Sequence, residues 1–134
     1  MGLKRRAREL TLQMLFQLDL GAVALHDLEQ SFLPGASAPE AAKLMALQMT
    51  RHAWEKVADL DNRLRNLSEH WDLSRMAAVD RNVLRLGAYE ILFEPQVPKS
   101  VAINEAIEIA KRFSTDASGK FVNGVLDRLE KPAS

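Results

Sequence analysis

Cysteine is absent from the 134 residues, which excludes a disulfide framework and any thiolate metal site. The six glycines are isolated from one another, so no glycine-rich loop can cradle a phosphate. Period-two alternation is missing as well, and no segment reads as a strand. Long apolar runs are lacking. The opening Met-Gly-Leu-Lys-Arg-Arg carries charge without the apolar stretch a signal peptide needs, and no run approaches the roughly 20 residues of a spanning helix. These absences predict a cytoplasmic protein without membrane contact. His26, His52 and His70 do not pair at metal-ligand spacing, and nothing signals a nucleophile with its base. We therefore expect no metal, no cofactor and no enzymatic activity.

What is present suits one compact helical domain. Apolar residues make up 47% and charged residues 27%, ordinary values for a globular chain of this length. The formal net charge is zero, which argues against nucleic acid until the distribution is read. Lys4, Arg5, Arg6 and Arg8 crowd the start, with only Glu9 among them. Screening limits the reach of charge to about 10 Å, so a local cluster can hold phosphates on a neutral molecule. The competing reading is a solvated basic tail.

Apolar residues recur three and four apart along nearly the whole chain, which predicts helices. Leu3, Ala7, Leu10, Met14 and Leu18 trace one stripe, Leu12, Phe16 and Leu20 a second, and Gly21 is a plausible stop. The basic cluster then belongs to the first turns of a helix. Asp27 to Phe32 can form a short helix that Leu33-Pro34-Gly35-Ala36 breaks. Ser37-Ala-Pro-Glu40 has capping-box spacing. A long pattern follows from Leu44 to Leu67, with a candidate interruption at Asp59 or Asp61. Ser74 can cap a short turn. A helical face from Val79 to Leu92 ends at Glu94-Pro95. Further helices are expected from Ser100, with Ile103, Ala106, Ile107, Ala110 and Phe113 inward, and from about Ser118 to Leu129. The fold class is all-α, a bundle of about six or seven helices.

Two features stand apart. Asn123-Gly124 is a turn signal inside a helical pattern, where glycine costs about 1 kcal/mol relative to alanine. Either close packing or the approach of a ligand to the backbone would compensate. Lys120 and Phe121 follow a polar stretch, Ser114 to Gly119, expected to be a loop. Phe121 is either core or a stacking platform for an unpaired base.

The run Lys4-Arg-Arg-Ala-Arg-Glu9, followed by Gln13, Leu15 and Phe16, resembles the opening of NusB proteins. Val79-Asp-Arg-Asn-Val-Leu-Arg-Leu-Gly-Ala-Tyr-Glu90 is similar to their central helix. The segments Val97 to Lys111 and Lys120-Phe-Val-Asn-Gly-Val-Leu-Asp127 are similar to the two C-terminal signatures of that family. The resemblance implies a single RNA-binding domain over 1–134, with helical subdomains at about 1–72 and 73–134. It implies binding of boxA-type single-stranded RNA together with NusE, a small-subunit ribosomal protein, in the RNA polymerase antitermination complex that serves ribosomal RNA operons. By the same resemblance Lys4, Arg5, Arg6, Arg8 and Gln13 would contact RNA, with Lys120, Phe121 and Asn123 around a stacked base. Phe16 and Asp80 would lie near the seam between RNA and NusE. A homodimer, found in some members, is compatible with it.

Three departures weaken particular contacts. Phe16 stands where relatives often carry tyrosine, and Asp80 where some carry glutamate. Ala117 stands where an acidic residue often precedes the serine. Arg85 and Glu90 are expected to brace the two halves. Two rival readings remain. A NusB-like domain of an RNA methyltransferase would require a downstream catalytic domain, and this sequence ends at Ser134. A protein-interaction module would dock its basic helix on an acidic partner.

Overall fold

The three-and-four spacing is realised as helix along the chain. A computed structural model describes residues 2–21, 23–67 and 70–132, and among these residues it contains seven helices and no strand. They are α1 (Leu3–Asp19), α2 (residues 25–35), α3 (Glu40–Glu55), α4 (Val57–Arg65), α5 (Ala78–Phe93), α6 (Lys99–Phe113) and α7 (Asp116–Leu126). A single 3₁₀ turn, Leu73–Arg75, precedes α5.

Several ends follow from one residue each. Gly21 takes a left-handed φ of 75° and its N–H returns to the Leu18 carbonyl, which stops α1 as expected. Pro34 does not break α2 where expected. The turn Leu28–Phe32 widens, Leu33 N–H donates to the Leu28 carbonyl, and the helix continues to Gly35. Proline lacks the N–H that an α turn would aim at Gln30, and a π turn just ahead of it shifts the pairing. The capping box at Ser37 is not used, because α3 begins at Glu40, directly after Pro39. Between α3 and α4 the break falls on Lys56, with φ −100° and ψ 11°, rather than on Asp59 or Asp61. Neither glycine nor proline marks it.

That break also divides the chain into two compact units, Met1–Glu55 and Lys56–Ser134. The sequence placed the division near residue 72. The earlier position reflects α4, which packs on α5. Arg85 on α5 holds both oxygens of Asp61 on α4 at 2.7 Å and donates to Asn82 at 3.0 Å. It braces the second unit internally.

In the first unit α1 packs along α3, with Leu10, Met14, Leu18, Leu28, Leu33 and Ala46 forming the core. Arg51 on α3 grips Glu29 on α2 with two bonds of 2.7 and 2.9 Å. In the second unit α5, α6 and α7 pack on one another. A Cβ at Gly87 would lie 2.5 Å from a Leu126 methyl, and one at Gly119 would lie 2.9 Å from Lys111 Cγ. Gly87 is therefore set by close approach to a buried side chain, whereas the lysine facing Gly119 is exposed. The start of α7 corrects the expected polar loop. Thr115 Oγ1 accepts the Ser118 N–H at 3.0 Å, so residues 116–119 form the first turn of the helix. In the 3₁₀ turn the cap is Asp72, which accepts from both N–H and Oγ of Ser74 at 3.0 and 2.6 Å. These bonds hold the Asp72 carboxyl below the usual carboxylate range.

Gly124 behaves differently from Gly87 and Gly119. It is exposed, helical, and a Cβ there would meet nothing within 4 Å. Close packing does not explain it. Gly124→Ala is expected to stabilise the fold by about 0.5–1 kcal/mol through helix propensity, read as a raised urea midpoint; a lowered midpoint would contradict the open surroundings of this residue.

Tyr89, the single tyrosine, is 2% exposed and its hydroxyl donates to Glu94 at 2.6 Å. Burial first, then this bond, pushes the phenol well above its ordinary value of 10. The neutral ring thus contributes stability that is complete below pH about 10 and is lost as pH rises past it, when the unfolded chain ionises and the folded one does not. Tyrosinate absorbance is expected to appear only with loss of helical circular dichroism. Ionisation near pH 10 in a fully helical protein would show that the phenol is not held.

Candidate nucleic-acid interface

The basic cluster is contiguous in sequence but not in space. At about 100° per residue, Arg5 lies roughly 100° and Arg6 roughly 200° around α1 from Lys4, while Arg8 returns to within about 40° of it. Burial differs accordingly. Lys4 is exposed, Arg5 and Arg6 are half-exposed, and Arg8 is only 5% exposed. Arg6 folds back on its own unit. Its Nε and Nη2 donate to the Ser37 carbonyl at 3.3 and 3.0 Å, and Nη1 lies 3.2 Å from the buried Glu9 carboxylate. Gln13 shares Arg6's side of the helix and is half-buried, its carbonyl accepting from Gln17. Phe16 is half-buried on Arg5's side.

On α7 the buried face is Ser118, Val122, Val125 and Leu126, with Lys120 and Asn123 exposed. Phe121 sits at the edge between them, half-buried. It meets Trp71 edge to face, with ring centroids 6.4 Å apart and planes at 87°. Arg128 lies over the Trp71 ring at 5.4 Å, and its Nη1 donates to the Leu67 carbonyl at 3.1 Å. The sequence reading did not connect Trp71 or Arg128 with Phe121. Arg128 lies in the turn just past the end of α7, and no local pattern links residues 71 and 121.

Asp80 lies in the first turn of α5, and its Oδ1 is buried with no donor reaching it among the described residues. Phe16 and Asp80 belong to different units, as do the α1 and α7 groups. Among the described residues no group of histidine and carboxylate side chains could hold a metal ion. None of the described helices is long and apolar enough to cross a membrane.

Exposed and half-exposed cations on α1, and a lysine on α7 beside the half-exposed Phe121–Trp71 pair, make this a small all-helical protein with a candidate nucleic-acid surface. The model of the NusB family matches residues 5–131. A transcription antitermination protein NusB of Desulfosudis oleivorans is 47% identical over 139 residues, covering 98% of this chain and 87% of the relative. Among solved structures, T. maritima NusB superposes with a TM-score of 0.83 at 42% identity, covering 96% of this chain and 93% of that one. A chain from a crystal structure of the antitermination factors NusB and NusE in complex with dsRNA superposes with a TM-score of 0.79 at 25% identity, covering 95% of each. The chain belongs to the NusB family of non-enzymatic transcription antitermination proteins.

Burial separates the roles of the four cations. Arg8→Ala is expected to cost more than about 1 kcal/mol, lowering Tm by roughly 3–6 °C or more. Lys4→Ala should stay within about 0.5 kcal/mol of wild type. Equal shifts in a thermal melt would contradict the difference in burial.

Proposed function

We propose that this chain acts in antitermination by binding boxA-type single-stranded RNA together with a NusE-like ribosomal protein, within the RNA polymerase complex that transcribes ribosomal RNA operons. The observation that carries the reading is the half-exposed Phe121 ring beside exposed Lys120, in a chain matched by the NusB model along residues 5–131. An unpaired base stacks on such a ring, and the lysine takes an adjoining phosphate. Asn123 offers an amide next to them, and open Gly124 lets a strand come close to the backbone. On α1, exposed Lys4 and half-exposed Arg5 contact phosphates. Arg6 joins them by exchanging the Ser37 carbonyl for RNA, beside Gln13. Arg8, being buried, holds the helix from which they act.

Phe16 and Asp80 are proposed to contact NusE. The orphan Oδ1 of Asp80 suits a donor from such a partner, and Phe16 contributes apolar area without a hydroxyl. The complex assembles in the cytoplasm, and a homodimer would be a competing state. The single-strand reading follows from the aromatic pair, since a duplex hides its base faces and is gripped by shape and backbone. A related NusB–NusE complex was solved with dsRNA, so duplex binding is the alternative to exclude.

Titration of a boxA-like single strand and its duplex, with and without the NusE-like protein, tests this. The single strand should bind more tightly, and its affinity should rise with the partner. Phe121→Ala should cost about 1–3 kcal/mol of RNA affinity, with a smaller stability loss than the roughly 3–5 kcal/mol of a fully buried phenylalanine. Preference for duplex, or full affinity in a severely destabilised Phe121→Ala protein, would sink the proposal.

A further inference from the structure

We infer that Trp71 and Arg128 form a second nucleotide subsite beside Phe121, taking one more base and its phosphate of a single-stranded RNA. This rests on the proposed RNA reading and extends it to residues outside the family resemblance set out above.

The two aromatic rings touch, at 6.4 Å between centroids, yet both remain half-exposed. Their 87° angle gives two faces in different planes. A strand that uses both must turn between consecutive nucleotides, which an unpaired strand can do and a duplex cannot. Arg128 is exposed and covers part of one indole face at 5.4 Å, so a base meets the ring beside the guanidinium, whose charge is placed for that base's phosphate. The subsite is held firmly. Arg128 Nη1 bonds the Leu67 carbonyl, Asp72 caps the turn directly after Trp71, and Arg81 ties that turn to α5 through the carbonyls of Leu73 and Met76 at 2.9 and 3.1 Å. A rigid pair of rings receives bases with little ordering cost of its own.

The chain has two tryptophans, so Trp54→Phe leaves Trp71 as the sole reporter. Adding a boxA-like single strand to this variant should quench its emission with a midpoint equal to the separately measured Kd. Trp71→Ala should weaken binding about 5- to 150-fold, the range for loss of one stacked base, and Trp71→Phe should retain most of the affinity. Arg128→Gln should lower the log–log salt slope by about 0.7, a readout that a merely structural arginine would not move. Phe121→Ala serves as the reference. If it weakens binding while Trp71→Ala and Arg128→Gln match wild type in affinity and slope, without quenching, the subsite is overturned and the RNA reading stands. If wild type itself fails to bind, both are overturned.

Discussion

The placement of α7 depends on the missing methyl at residue 87. A Cβ there would fall 2.5 Å from one Leu126 methyl and 3.5 Å from Ala106 Cβ. Leu126 is fully buried, so a substitution at residue 87 would force its side chain or α7 to shift. Gly119 is a weaker constraint, since a Cβ there would meet the flexible, exposed side chain of Lys111 at 2.9 Å. The contact at Gly87 lies in the seat of the helix that carries Lys120, Phe121 and Asn123.

Once α7 is seated, its rotation follows from the apolar face. Val122, Val125 and Leu126 point inward, and Phe121 is about 100° away from Val122. It therefore reaches the edge of the core face, where the Trp71 ring closes one side and solvent the other. The cap at Thr115 fixes where the helix starts, which puts Phe121 in the second turn, among satisfied backbone groups. An aromatic ring on a regular helix is better positioned than one at a loop mouth.

The helical class and most of the helices were legible because amphipathic periodicity survives wherever a helix packs on one side. The stop at Gly21 was legible because a left-handed residue has a sequence signature. Other boundaries were not. Pro34 reads as a breaker, yet a widened turn absorbs its missing N–H, and such a turn has no local code. The break at Lys56 bears no glycine or proline, so residues with plausible caps nearby drew attention instead. Thr115 was hidden among polar residues that read equally well as loop. In the candidate site, Lys4, Arg5 and Lys120 could be found by charge, but the partnership of Phe121 with Trp71 is a contact between distant residues. The open surroundings of Gly124 were equally invisible, because sequence cannot say whether a helical glycine faces a neighbour or water.

The start of α1 shows why a charge cluster must be wound before it is read. Four cations in five positions are dispersed by the helical period around more than half the circumference, and one of them is buried. Only part of the cluster can meet a strand at once, so a molecule of zero net charge has little long-range attraction for RNA. Arg6 is the instructive case. Its bonds to the Ser37 carbonyl each contribute about 0.5–1.5 kcal/mol net, or up to roughly 3 because the donor is charged. A phosphate would replace the neutral Ser37 carbonyl with an anionic acceptor, while Nη1 can keep its pairing with buried Glu9. The same residue can thereby brace the link before α3 in the free protein and serve RNA in the bound one. Under the proposed function, that makes binding on α1 an exchange of partners rather than an encounter with an open patch, and it explains why contacts from a second protein surface matter to a fold whose own cations are this widely spread.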